Sequence, residues 1–172
     1  DNISLYRENE AKADITAYTT SMHNNPTPLT LNINYGLNTD GTVKDDDESK
    51  AWQEVINDIR FRKALAMSID AEEIVDAVYK GFAEADPLYP CTHDIDGANA
   101  LLDEMGMVDT DGDGYRETPS GLPFKFQIWN YKEANDIVPT IELYVEFFAE
   151  IGIKAEGYST ESTLLSSSQG AN

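Results

Sequence analysis

The chain has 172 residues, a length that suits one domain, or one lobe of a larger protein, and allows a substantial core. Its 32 acidic and 12 basic residues give a formal net charge of −20, which argues against nucleic acid and anionic membranes as partners because their phosphates would be repelled. The single cysteine, Cys91, excludes an intramolecular disulfide and a cysteine-based zinc site. His23 and His93 lie far apart in sequence and do not suggest a metal site.

The ends of the chain suggest a piece of a longer protein. The sequence starts at Asp1 rather than at a methionine, ends in a polar tail, and has neither a signal peptide nor an apolar run long enough to span a membrane. We expect an N-terminal segment of uncertain structure at residues 1–27, a partial α/β lobe at 28–168, and an end at 169–172 that lies outside the lobe.

The first predicted element is a strand at residues 29–35. Apolar and polar side chains alternate there, which is typical of a half-buried strand, and Gly36 follows it. A turn-rich acidic loop leads to two predicted helices, at residues 49–57 and 59–68.

Asp70 is predicted to begin a third helix, since Glu73 is spaced to form a capping box with it, and Gly81 is predicted to end that helix. Residues 82–93 contain two prolines and are predicted to form a loop. The next helix is predicted to end at Gly106, and its apolar face contains four residues at helical spacing: Ala98, Leu101, Leu102 and Met105.

A strand–helix–strand unit is the clearest pattern in the sequence. Apolar residues alternate over 122–128, an amphipathic helix is predicted over 136–151, and a second strand over 153–158. Two strands joined by a helix should be parallel, with a right-handed crossover. The order of elements predicts an α/β lobe.

One acidic turn matches the first nine positions of a calcium-binding loop. Carboxylates occupy its first, third and fifth positions, a glycine the sixth, and the twelfth position is Ser120 rather than the usual glutamate. The candidate ligands are Asp109, Asp111, Asp113, the carbonyl of Tyr115, and Glu117. The alternative is a polar turn in which the aspartates bind backbone amides.

Two short groups are candidate ligand-binding residues, because ligands of open α/β sheets bind beyond the carboxyl ends of strands. They are Trp129, Asn130 and Tyr131 after one predicted strand, and Asn32, Asn34 and Tyr35 near the end of the other. The alternative role is packing in the core or at an interface. The sequence has no nucleophile elbow and no glycine-rich phosphate loop, so we expect no enzyme activity.

Several stretches in order resemble solute-binding protein family 5, the oligopeptide- and dipeptide-binding proteins of bacterial ABC importers. Residues 58–70 resemble D-x-R-x-R-x-A-L-x-x-A-I-D, with Ser68 in place of the usual alanine. Further resemblances cover residues 71–83 (R-E-E-I-V-x-x-V-x-x-G-x-A), 98–106 (A-K-x-L-L-x-E-A-G), 109–117 with 121–123, 147–155 (L-x-x-I-G-I-K-V) and 162–165. The acidic stretch 44–48 looks like an insertion, and the loop after Ala83 is shorter than is common in the family.

This resemblance implies part of one lobe of a type II periplasmic-binding-protein-like fold, with a mixed sheet and flanking helices. It also implies an extracellular or periplasmic protein, lipid-anchored when complete, that captures oligopeptides or a related small solute between two lobes and delivers them to ABC permease subunits. No cofactor is expected beyond a structural calcium ion. The alternative from a different class is a calcium-stabilised cell-surface or adhesion domain.

Overall fold

A computed structural model describes residues 3–16, 29–85, 92–132 and 136–169. His23 and Cys91 lie outside these ranges. Eight helices and two strands occur in the described ranges, in the order α1 (Ile3–Glu8), α2 (Glu10–Ala13), α3 (Asp47–Ile56), α4 (Ile59–Ser68), α5 (Ala71–Ala77), α6 (Ile95–Met105), β1 (Lys125–Tyr131), α7 (Ile137–Glu150), β2 (Lys154–Thr160) and α8 (Ser162–Gln169).

The prediction of a strand at residues 29–35 is wrong. Residues 33–36 form a turn, and an isolated antiparallel bridge joins Leu37 to Val43. Of the alternating apolar side chains, Leu29 and Leu31 pack against the core, whereas Ile33 and Tyr35 are exposed. Among the described residues no strand pairs with this segment, so its alternation does not lead to a sheet.

Aspartate side chains begin α3, α4 and α5, as predicted for Asp70. The side chain of Asp46 accepts hydrogen bonds from the backbone N–H and hydroxyl of Ser49 at the start of α3. Asp58 caps α4, and Asp70 accepts from the N–H of Glu73 in α5. These bonds satisfy amides that have no partner inside the helix.

Helix α5 ends at Ala77 rather than near Gly81, which was predicted to end it. A turn follows, in which the N–H of Gly81 donates to the carbonyl of Val75. Helix α6 ends at Gly106 as predicted. This glycine has a φ of 82° and donates to the carbonyls of Asp103 and Leu102. The left-handed conformation is accessible to glycine without steric cost.

The strand–helix–strand prediction is confirmed. Strands β1 and β2 are parallel, from the Lys125–Lys154 pair to the Tyr131–Thr160 pair, and α7 packs on them. Pro139 lies in the first turn of α7, where its missing N–H costs little. The strands begin and end slightly later than predicted, and the sheet in the described ranges consists of these two strands.

The core joins the helices of the first half to the inner face of the sheet. Phe124 stands edge-on to Phe61 with ring centroids 5.4 Å apart, and it stacks on Trp52 at 6.3 Å. Phe148 of α7 lies against Phe126 of β1. Burial of such aromatic rings supplies much of the stabilisation of a domain core. No helix in the described part of the chain has the length and apolar character needed to cross a membrane.

Candidate functional site

The carboxyl end of β1 contains one of the two predicted ligand-binding groups. Trp129, Asn130 and Tyr131 are the last residues of the strand itself, whereas the strand was predicted to end before them. Because side chains alternate between faces along a strand, Asn130 lies on the core side at 4% exposure, and Trp129 and Tyr131 are exposed on the opposite face.

Asn130 has an unsatisfied acceptor. Its side-chain oxygen Oδ1 is buried and accepts no hydrogen bond from any described residue. A buried acceptor without a donor costs roughly 1–3 kcal/mol. Buried acceptors normally have a hydrogen-bond donor. We therefore expect the Oδ1 atom of Asn130 to accept a hydrogen bond from a group outside the described residues.

The neighbouring strand completes this edge. Trp129 pairs in register with Tyr158, and their rings lie 4.6 Å apart at an angle of 43°. Beyond the last pair, the N–H of Lys132 donates to the carbonyl of Thr160, and the ammonium of Lys132 forms an ion pair with Glu161. The carboxyl end of the sheet therefore has three exposed aromatic residues, Trp129, Tyr131 and Tyr158, on one face and the buried Asn130 on the other.

The second predicted group already has partners within the chain. The hydroxyl of Tyr35 donates to Glu48 at 2.7 Å, and this hydrogen bond raises the pKa of Tyr35 to about 12. The indole N–H of Trp52 donates to the carbonyl of Asn32 at 2.8 Å. The side-chain oxygen of Asn32 accepts from the backbone N–H of Asn34. These bonds hold the turn of residues 32–36 against α3.

The structure does not bring the two groups together. Tyr35 stands against Trp52, which packs on Phe124 and Phe126 near the amino end of β1. Tyr131 ends the same strand roughly 20 Å away, at about 3.3 Å per residue. The two groups cannot line one small site within the described residues.

The acidic turn is held by the bonds that the alternative interpretation predicted. Asp109 accepts from the backbone N–H groups of Gly112 and Gly114. Asp111 accepts from the N–H of Asp113, whose own carboxylate accepts from the N–H of Tyr115. The aspartates therefore serve as acceptors for the backbone of their own turn.

Four carboxylates of this turn nevertheless come close enough to share a cation. One oxygen from each of Asp109, Asp111, Asp113 and Glu117 lies within 4.8 Å of the others, and the turn is the one such group among the described residues. Glu117 is buried, and the side chain and backbone N–H of Thr110 both donate to it, which lowers the pKa of its carboxyl group. These oxygens have the hard chemistry that calcium prefers.

The side chain of Arg116, a residue of the acidic turn, bonds to groups outside that turn. Its guanidinium group donates to Asn99 and Asp103 of α6 and to the carbonyls of Met107 and Ile151, at the ends of α6 and α7. Its backbone N–H donates to the carbonyl of Gly152. Nothing in the motif signalled this role, because the partners lie up to 36 residues away.

Known proteins with related sequences and structures bind solutes. The chain is 28% identical over 111 residues to a periplasmic alpha-galactoside-binding protein of Rhizobium meliloti. The match covers 56% of this chain and 16% of that protein. The oligopeptide-binding protein OppA matches with 32% identity and a TM-score of 0.64, over 73% of this chain and 22% of that one. A periplasmic oligopeptide-binding protein of an ABC transporter from Thermotoga maritima, solved with mannohexaose bound, matches with 27% identity and a TM-score of 0.58, over 64% and 25%.

The chain thus spans less than a third of the length of these relatives. The α/β architecture expected for part of a periplasmic-binding-protein lobe agrees with the solved relatives, whereas the adhesion-domain alternative is not favoured. The family model for the middle region of bacterial extracellular solute-binding proteins, family 5, matches residues 1–170. The chain therefore belongs to the bacterial extracellular solute-binding proteins of family 5.

Proposed function

We propose that the intact protein is the solute-binding component of an ABC importer and that this chain is part of one of its two lobes. The observation that carries the proposal is the family match over residues 1–170. The parallel β1–α7–β2 unit supports it, because open parallel sheets present their ligand-binding edge where the strands end.

An oligopeptide or a related small solute is the proposed ligand. Two of the solved relatives are described as oligopeptide-binding, one of them with mannohexaose bound, and the relative from Rhizobium meliloti is described as alpha-galactoside-binding. Peptides and neutral oligosaccharides both present hydrogen-bond donors without a high negative charge. Either therefore suits a chain with a net charge of −20 better than an anionic solute does.

We place the solute-facing edge at the carboxyl end of β1 rather than at the turn of residues 32–36. Asn130 there has a buried acceptor without a donor among the described residues, and its neighbours in the strand, Trp129 and Tyr131, are exposed on the opposite face of the sheet. Asn32, Asn34 and Tyr35 are bonded to each other or to α3 instead. This arrangement favours a ligand role for the first group and a packing role for the second.

Calorimetry of the intact protein against a peptide library and a set of neutral oligosaccharides tests the proposal. We expect one solute class to bind the intact protein and to bind the 172-residue chain weakly or not at all, because the proposed site needs two lobes and this chain supplies part of one. Tight binding by the chain alone would contradict the two-lobe interpretation. If the intact protein bound neither class, the solute assignment would be wrong.

The variant Asn130→Leu tests whether the carboxyl end of β1 contacts the solute. Loss of a ligand hydrogen bond should weaken solute binding at least about tenfold, whereas removal of a purely structural unsatisfied acceptor should be neutral or stabilising. Tyr35→Phe is the matched control, because it removes one hydroxyl from the other group and should leave affinity unchanged. Equal affinities of wild type and Asn130→Leu would exclude a binding role for Asn130.

The same proposal includes a location and partners. We propose that the intact protein works outside the cytoplasmic membrane, is held near its permease by a lipid anchor, and catalyses no reaction. Fractionation of cells that produce the intact protein, with and without removal of the anchor signal, tests the anchoring. Co-purification with the permease subunits tests the partnership.

A further inference from the structure

Ser159 of β2 lies beside Asn130 of β1. The two residues are partners in the parallel register, and neighbouring strands of a sheet lie about 4.8 Å apart. Paired residues point to the same face of the sheet, because side chains alternate in step along both strands. A Cβ placed on Gly157, two residues before Ser159, would lie 3.0 Å from Ile141 of α7. Asn130 and Ser159 therefore share the face that α7 packs on, at the carboxyl end of the sheet.

The two side chains differ in burial but share a free hydrogen-bonding capacity. Asn130 is 4% exposed, and its Oδ1 atom accepts no hydrogen bond from the described residues. Ser159 is exposed, and its hydroxyl group has no hydrogen-bond partner in the described ranges. A buried acceptor and an exposed hydroxyl group thus lie side by side at the end of the sheet where we place the solute.

We propose that Ser159 contacts the solute together with Asn130, and that the two side chains bind one group of the solute, a hydrogen-bond donor such as an amide or a hydroxyl. This inference rests on the proposed function, to which it adds a residue and the chemistry of the bound group. The Oδ1 atom of Asn130 can only accept, so an N–H or O–H of the solute faces it. The hydroxyl group of Ser159 rotates and both donates and accepts, so it bonds to the same group.

The same chemistry excludes a solute carboxylate from this position. An ionised carboxylate has only acceptor atoms. Placed against the Oδ1 atom of Asn130, it would leave that buried acceptor unsatisfied and add repulsion between two oxygens. An amide N–H of a peptide or a hydroxyl of a sugar satisfies the acceptor, whereas the free carboxylate of a peptide must bind elsewhere.

Calorimetry of the intact protein measures the contribution of Ser159. The probe is the tightest-binding member of the peptide library and oligosaccharide set described above. Ser159→Ala should weaken binding of this probe about three- to tenfold, the loss expected for one hydrogen bond. It should leave the melting temperature of the solute-free protein unchanged, because Ser159 is exposed. Ser166→Ala is the matched control and should leave affinity unchanged, since the hydroxyl of Ser166 donates to the carbonyl of Ser162 within α8.

A double-mutant cycle tests whether Ser159 and Asn130 bind the same group. Residues that share a partner show non-additive effects. Ser159→Ala combined with Asn130→Leu should therefore weaken binding by less than the product of the two separate fold-changes. A double variant whose loss equals that product would overturn the shared contact.

The variant Ser159→Asp tests the chemistry of the bound group. A carboxylate accepts a hydrogen bond from a donor but repels an anion. Ser159→Asp should therefore bind the probe at least as tightly as Ser159→Ala, and weaker binding would show that the solute group is not a donor. If wild type and Ser159→Ala bind the probe equally, the inference fails and the proposed function stands. If no member of either set binds wild type, the solute assignment fails and the inference with it.

Discussion

Arg116 joins three parts of the chain that are distant in sequence. Its side chain is 14% exposed and binds α6, the segment that follows α6, and the end of α7. The carbonyls that it binds lie at helix carboxyl ends, where a positive charge is favoured. We expect Arg116→Ala to lower the free energy of unfolding by about 2–4 kcal/mol, measured by urea denaturation, because buried acceptors would lose a charged donor.

The controls for Arg116 separate charge from geometry. Arg116→Lys keeps the positive charge but loses the planar guanidinium group with its several N–H donors. It should therefore still lower the free energy of unfolding by a large part of the loss expected for Arg116→Ala. Lys63→Ala removes a positive charge from an exposed position and should change stability by less than about 0.5 kcal/mol. Equal effects of Arg116→Ala and Lys63→Ala would contradict the role of Arg116.

Glu117 should make stability depend on pH. Hydrogen bonds from Thr110 hold the pKa of its carboxyl group below the ordinary value. A lowered folded-state pKa gives a stabilisation that is complete above the unfolded-state pKa, near 4.3, and is lost as the pH falls through the folded-state value. Glu117→Gln should therefore be less stable than wild type at pH 7. The difference in the free energy of unfolding between the two proteins should disappear in acid.

Urea titrations of wild type and Glu117→Gln at a series of pH values measure this gap. Glu72→Gln, at an exposed position on α5, is the control and should show a much smaller difference at every pH. A gap for Glu117→Gln that stays constant from neutral pH into strong acid would contradict the argument.

Calcium binding by the acidic turn stays a prediction. The missing glutamate at the twelfth loop position should weaken binding to roughly the millimolar range. Millimolar calcium should raise the melting temperature slightly, and Asp111→Ala should remove the rise. Magnesium at the same concentration controls for ionic strength, because it tolerates irregular oxygen sites poorly. An equal rise with both ions, or none with either, would mean that hydrogen bonds alone hold the turn.

At the scale of elements, Gly36 decides the path of the segment that precedes α3. It has a φ of +82°, and a Cβ placed on it would lie 2.8 Å from the Cβ of Ser49. The carbonyl of Gly36 also accepts from the N–H of Lys44. Gly36 was predicted to end a strand. In the structure its missing side chain instead allows the turn to lie close against α3.

Gly36→Ala should destabilise the chain by about 2–4 kcal/mol, because it adds a steric clash to an unfavourable backbone conformation. Gly41→Ala is the matched control. Gly41 has the same φ, but a Cβ there would meet nothing within 4 Å, so it should cost only about 1–2 kcal/mol. Thermal or urea denaturation of both variants measures the difference, and equal losses would show that the approach to Ser49 is unimportant.

At the scale of the whole molecule, the net charge of −20 opposes the folded state through repulsion between like charges. Added salt screens charges separated by more than about 8 Å at physiological ionic strength. We therefore expect the melting temperature of the chain to rise when sodium chloride is raised from about 10 to 150 mM. A fall over this range would indicate that the four ion pairs among the described residues outweigh the general repulsion.

The sequence by itself determined the elements whose signals are local. Asp70 and Gly106 mark a helix start and a helix end through bonds to residues within one turn. The β1–α7–β2 unit was predicted with its parallel order, because periodicity and a right-handed crossover need no knowledge of the rest of the chain. The ordered motifs of residues 58–165 were sufficient to indicate the family.

The tertiary structure alone decided what depends on distant partners. Residues 29–35 alternate like a strand, but no described strand pairs with them, and residues 33–36 form a turn against α3 instead. Arg116 lies within the acidic turn in sequence, but its side chain joins α6 to α7. In the sequence, Asn130 and Tyr35 are equivalent candidates for ligand binding. The structure shows that Asn130 has a buried acceptor without a donor among the described residues, whereas the hydroxyl of Tyr35 bonds to Glu48. Periodicity and capping are set by neighbours along the chain, whereas burial and long-range hydrogen bonds are set by neighbours in space.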